Sequence, residues 1–134
     1  MLDVTCAIII KDDKILATQR SEKMRLPLKW EFPGGKIEWN ETPEKCIHRE
    51  ILEELNIEID LRAKLDPQSY DYGNNVINLI PFVAKYVSGE IILVEHNSYK
   101  WLRKEELRAL DWASADILVL EEFIKSNHDT GWFI

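Results

Sequence analysis

Glu50, Glu53 and Glu54 stand together in the stretch Arg49-Glu50-Ile51-Leu52-Glu53-Glu54-Leu55. A helix advances about 100° per residue, so these carboxylates fall within roughly a 100° arc. That arc lies away from Ile51 and Leu55, which with Ile47 recur every four residues as an apolar stripe. Like charges at such spacings oppose helix formation by a few tenths of a kcal/mol per pair, roughly, and call for a compensating partner or for solvent screening. A divalent cation supplies the first. Mg²⁺ and Mn²⁺ take oxygen ligands in octahedral geometry and bridge protein carboxylates to substrate phosphates. The competing reading is a solvated helix face.

The element that must carry these groups has clear ends. Thr42-Pro43 reads as an N-cap followed by the first helical residue, and Asn56 suits a left-handed C-cap. Before the helix, Val4–Ile10 is a continuous β-branched run, broken by Lys11-Asp12-Asp13-Lys14 and resumed by Ile15-Leu16-Ala17-Thr18, which predicts a buried hairpin. Pro33-Gly34-Gly35 predicts a loop. After the helix, Ile57–Leu65 reads as a strand. Tyr70–Asn75 is a turn cluster ahead of the apolar run Val76–Val87, giving a second hairpin, and Ser88-Gly89-Glu90 turns the chain again. Ser98–Leu102 reads as a returning strand, Lys104–Leu110 as a short helix and Ala115–Lys125 as a closing helix. Strands, helix, strands, helix describe one α/β unit.

Composition bounds the function. The chain has 134 residues, one domain's worth, with 46% hydrophobic and 10% aromatic residues, enough to build a core. Its net charge of −7 disfavours a polymeric nucleic acid, which needs a basic face. It does not exclude a small phosphorylated ligand reached through bound cations. Cys6 and Cys46 have no metal-ligand spacing, and no apolar run is long enough to span a bilayer. These features predict a soluble protein of a reducing compartment, the cytoplasm, without a membrane partner.

Gly35, Glu41, Arg49, Glu50, Glu53 and Glu54, with aliphatic Ile51 and Ile57, fit the spacing G-x5-E-x7-R-E-U-x-E-E-x-x-U. Typical residue frequencies put a chance match on the order of one in ten thousand or less. This pattern resembles the Nudix box, and Trp30–Glu38 resembles the box opening in the MutT branch of Nudix hydrolases. Two positions depart from the family pattern. Asn56 replaces a Gly, and Trp39-Asn40 replaces a common Pro-Gly. Neither is a candidate ligand.

The resemblance implies a Nudix fold, an α/β/α sandwich with a mixed β-sheet, spanning residues 1–134. It implies Mg²⁺ as cofactor, with Mn²⁺ as a substitute, held by the Gly35 carbonyl, Glu50, Glu53, Glu54 and Glu95. The implied catalytic set is Glu50, Glu53, Arg49 and Glu95, Glu50 acting as ligand or general base and Arg49 orienting the carboxylates. Gly34 and Glu41 support them. For Glu95 the alternative is a surface charge, and for Glu41 a solvated loop residue.

Arg20, eleven residues before Glu31, and Asp116, ahead of the last helix, match substrate-binding positions of the branch. Their plainer readings are a strand-end arginine and a helix N-terminal acid. Tyr72, Trp112 and Phe82 are candidates for a base-stacking wall, Tyr72 foremost. Lys36, His48 and His96 read as structural or solvated.

The implied reaction is metal-dependent hydrolysis of a nucleoside triphosphate to the monophosphate and pyrophosphate, with 8-oxo-dGTP or a cytidine triphosphate as substrate. The alternatives are hydrolysis of ADP-ribose, a sugar nucleotide or a dinucleoside polyphosphate, and a catalytically silent nucleotide sensor. A monomer or homodimer is expected.

Overall fold

The computed structural model describes residues 1–126, so the last part of the expected 1–134 domain lies outside the described residues. The Val4–Ile10 run forms most of strand β1 (Leu2–Lys11), which turns through Asp12 and Asp13, both at positive φ, into β2 (Lys14–Gln19). Short strands β3 (Trp30–Glu31) and β4 (Gly34–Lys36) precede helix α1 (Pro43–Leu55). Then come β5 (Glu58–Lys64), β6 (Gln68–Asp71), β7 (Val76–Ser88), β8 (Ser98–Leu102), a 3₁₀ helix (Lys104–Ala109) and helix α2 (Ser114–Ser126).

β1 and β7 are the parallel centre of a mixed sheet ordered β3-β2-β1-β7-β5, while β4, β6 and β8 pair antiparallel with β1, β7 and β2. The unbroken apolar run of β1 follows from burial on both faces. Cys6, Ile8 and Ile10 point into a core with Val119, Leu120 and Phe123 of α2. Ala7 and Ile9 point into the opposite core, with Ile47, Ile51 and Leu55 of α1. The result is the expected α/β/α sandwich.

Helix α1 begins and ends as its sequence predicts. Thr42 Oγ1 accepts from the Lys45 amide at 3.2 Å, and Pro43 needs no amide partner at its position. Asn56 adopts φ 62° and donates its N–H to the Leu52 carbonyl at 3.0 Å. The expected loop at Pro33-Gly34-Gly35 is corrected: Gly34 and Gly35 lie in β4, opposite Cys6 and Thr5. A Cβ on Gly34 would stand 2.0 Å from the Thr5 carbonyl oxygen, so only glycine permits this close strand approach. The pairing sets Gly35 beside α1.

Candidate active site

Arg49 organises the exposed side of α1. Its Nε and Nη2 form a fork on Glu41 Oε2 and Oε1 at 2.6 and 2.9 Å, and Nη1 reaches Glu50 Oε1 at 2.9 Å and Glu53 Oε2 at 3.2 Å. A planar guanidinium suits this, because its donors meet two carboxylate oxygens in parallel while a third points elsewhere. Glu41 also accepts from the Glu38 amide at 3.0 Å. The Arg49 hydrogen bonds, above all, hold the Glu41 carboxyl at about 2. Burial pushes Glu50 upward, against the opposing pull of Arg49. Mutual repulsion on the helix face is thus relieved by an internal cation as well as by solvent.

Glu54 lacks that relief. It sits toward the cleft, where burial first, then the charges of Glu50, Glu31, Glu95 and Glu53, raise its pKa to about 8. Its Oε1 is buried without a hydrogen-bond partner. An orphaned buried carboxylate oxygen among other carboxylates is a poor protein interior and a good cation ligand, so the residues present fit a divalent metal. Among the described residues no three His, Cys, Asp or Glu groups stand placed to hold a metal ion together. Glu50 and Glu53 are turned toward Arg49 instead.

A stability consequence follows for metal-free protein. A carboxyl whose folded pKa lies above its unfolded value keeps its proton longer in the native state, so its contribution to stability falls as pH rises from about 4.5 to about 8. In chelator, Tm should therefore decline across that window, and Glu54→Gln should flatten the decline. Identical slopes for the two proteins would refute the burial effect.

Gly35 meets α1 closely: a Cβ there would lie 2.3 Å from Glu50 Cδ. Its carbonyl accepts from Thr5 Oγ1 at 3.1 Å and from Cys46 Sγ at 3.5 Å. Glu95 lies exposed in the loop between β7 and β8, near enough for its charge to act on Glu54. That loop is fastened to α1 by the Val94 amide on the Glu54 carbonyl at 3.3 Å.

The other candidates converge on a cleft of two adjoining parts. One, of about 190 Å³, is bordered by Arg20, Arg25, Glu31, Tyr72 and Asp116. The second, of about 160 Å³, shares Arg20, Glu31 and Asp116 and continues to Gly35 and Glu54. Asp116 is buried in the first turn of α2, and its Oδ1 accepts from the Phe32 amide at 2.9 Å. Burial, then the nearby Glu31, raises its pKa well above the carboxylate range. A carboxyl oxygen at this place can accept from a ligand N–H. Tyr72 walls the first part, with its hydroxyl accepting from the Ala115 amide at 2.9 Å. That bond pins the β6–β7 turn to the start of α2.

Two aromatic candidates belong to the cores instead. Phe82 is buried among the α1-side residues, and Trp112 stacks on Phe32 at 4.6 Å while donating to the Leu107 carbonyl. Their ring faces are spent on packing. Lys36 and His48 are exposed, whereas His96 is buried. Sequence reasoning passed over Glu31, which bonds both Arg20 Nη1 at 2.6 Å and His96 Nε2 at 2.7 Å. The available signal was its place one residue before Phe32-Pro33-Gly34-Gly35.

The NUDIX domain model matches residues 1–123. The chain is 33% identical over 124 residues to the CTP pyrophosphohydrolase of Escherichia coli, covering 92% of each chain. It is 31% identical to the 8-oxo-dGTP diphosphatase of Buchnera aphidicola, covering 89% of this chain and 94% of the relative. A solution structure of the MutT protein (family Nudix hydrolase) from methicillin-resistant Staphylococcus aureus superposes with a TM-score of 0.75 at 40% identity, over 93% of this chain and 96% of that one. Box spacing, sandwich fold and family match agree, and the chain belongs to the NUDIX domain family.

Proposed function

We propose that this protein hydrolyses a nucleoside or deoxynucleoside triphosphate to the monophosphate and pyrophosphate, as a nucleotide-pool enzyme of the cytoplasm. One observation carries the reading: the pocket bordered by Tyr72 and Asp116 adjoins the space bordered by Gly35 and Glu54, the two sharing Arg20, Glu31 and Asp116 as lining. A base held in the first part would lay its phosphates along the second. The names of the relatives, a CTP pyrophosphohydrolase and an 8-oxo-dGTP diphosphatase, support a triphosphate substrate. The whole of residues 1–134 is read as a single domain.

Nudix hydrolases generally use divalent cations. In this chain Glu53, Glu54, Glu50, Glu95 and the Gly35 carbonyl would hold Mg²⁺, with Mn²⁺ able to replace it. The bound ion supplies charge neutralisation for the polyphosphate and polarises its oxygens. As the alternative to ligating the ion, Glu50, fixed by Arg49 and shifted upward by burial, takes the proton of the attacking water. Arg49 and Glu41 keep that carboxylate still. Arg20 and Asp116 orient the base, and Tyr72 walls it.

The test is release of pyrophosphate and phosphate from 8-oxo-dGTP, CTP, dCTP, ADP-ribose and a dinucleoside polyphosphate, with and without Mg²⁺. Magnesium-dependent pyrophosphate from a triphosphate is expected, and activity on ADP-ribose or the dinucleotide alone would overturn the substrate assignment. Asp116→Asn keeps the oxygen that takes the Phe32 amide but replaces its second oxygen by a donor. The variant should fold normally and shift discrimination among triphosphates by at least about tenfold against those that present an N–H group there. An unchanged ranking would remove Asp116 from base reading.

A further inference from the structure

Glu31 stands at the centre of a hydrogen-bonded chain from His96 to Arg20, and the proposed reaction gives neither Glu31 nor His96 a role. Its Oε2 lies 2.7 Å from His96 Nε2 and its Oε1 lies 2.6 Å from Arg20 Nη1. The His96 side chain is fully enclosed. Enclosing an imidazole costs desolvation that an apolar residue of similar size would not incur, so the bond to Glu31 must matter to retain it.

The segment around His96 is fastened on three sides. The Val94 amide bonds the Glu54 carbonyl on α1 at 3.3 Å, and the Asn97 amide bonds the Gln19 carbonyl on β2 at 2.9 Å. Asn97 Nδ2 adds a bond to Gln19 Oε1 at 2.7 Å. Between these lies His96 on Glu31 of β3, one residue from Glu95. At the other end of the chain, Arg20 borders both parts of the cleft and its Nε donates to the Arg25 carbonyl. One imidazole therefore touches the carboxylate that orients the pocket arginine and belongs to the loop that bears Glu95.

We propose that His96 is a positioning residue: through Glu31 it sets Arg20 in the base pocket, and through its own loop it sets Glu95 beside Glu54. Base recognition and the hydrolytic carboxylates are thereby aligned by one side chain. The Glu95 half of this assignment rests on the proposed hydrolysis, whereas the Arg20 half stands on the hydrogen bonds alone.

The experiment compares His96→Phe, His96→Asn and His96→Gln with wild type, and repeats His96→Phe on a Glu31→Gln background. The Gln amide nitrogen reaches the place of Nε2, the shorter Asn amide does not, and Phe fills the volume without a donor. His96→Phe and His96→Asn should raise KM about fivefold or more and lower kcat about tenfold or more, while His96→Gln stays within about threefold of wild type in both. On the Glu31→Gln background, His96→Phe should add less than about twofold.

In nucleotide-free protein, the Arg20 Nε–H resonance should persist in His96→Gln and broaden in His96→Phe and His96→Asn. If the Phe variant does not fold, the Asn and Gln pair decides the matter. Wild-type kinetics in the folded Phe or Asn variant, equal damage by Gln and Asn, or full additivity with Glu31→Gln would each overturn the proposal. A wild type that hydrolyses no triphosphate would defeat the proposed reaction instead, and the Arg20 resonance would still test the His96 link.

Discussion

Glu54→Gln should lower turnover by at least about a hundredfold and at the same time raise the Tm of the metal-free protein by a few degrees. The two effects have one origin. Glu54 is half-buried, crowded by other carboxylates and missing a partner for its enclosed Oε1. Charge there costs stability in the empty protein and becomes useful only when a cation is present. An amide of the same shape removes the cost and the ligand charge together. Glu53→Gln should lose activity to a similar degree without the gain in Tm, because Glu53 is largely exposed and already bonded to Arg49. Turnover near wild type in both variants would remove the helix carboxylates from the reaction. Lower stability of Glu54→Gln in chelator would contradict the burial argument on its own.

Arg49→Ala is the second substitution with a large expected effect: a loss of at least about a hundredfold in turnover, together with a lower Tm. The guanidinium bonds Glu41 in a fork and holds Glu50 and Glu53 by one nitrogen, so its removal frees all three carboxylates and restores their repulsion. Arg49→Lys should regain part of the Tm and little of the activity, since a single ammonium cannot reproduce the fork. Acid titration gives an independent check. Glu41, held at about 2, contributes stability that is present above its unfolded pKa near 4.5 and is lost as pH falls toward 2. That acid-limb contribution should vanish in Arg49→Ala. A variant with wild-type turnover, or an unchanged acid limb, would show that Arg49 does not organise the site.

Much of this was legible before any coordinates. The α1 boundaries followed from Thr42, Pro43 and Asn56, because capping is satisfied by groups within a few residues. The first hairpin followed from an apolar run interrupted by turn residues, whereas in the second Tyr70 and Asp71, read as turn, belong to β6 and pair with Ile77 and Val76. The error at Gly34-Gly35 has a physical reason too. Glycine is punctuation to a local reading, whereas here it serves close approach to Thr5, a contact 29 residues distant in the chain from Gly34. Trp112 and Phe82 were misplaced because an aromatic ring reads alike in a core and in a binding wall.

By itself, the sequence determined which chemistry was available: three carboxylates on one helix face, the box spacing that marks the family, and an acidic balance suited to cations rather than to nucleic acid polymers. Helical periodicity and local capping encode such features directly, since they depend on neighbours three or four residues apart. Only the tertiary structure decided that Glu54 is the carboxylate with an enclosed, unpaired oxygen and that Arg49 serves Glu41, Glu50 and Glu53 together. It likewise decided that Glu31 joins His96 to Arg20 at the head of a cleft running from Asp116 to Gly35. Burial and pairing of a charge are set by what the sheet brings across from distant segments, and no spacing along the chain records that.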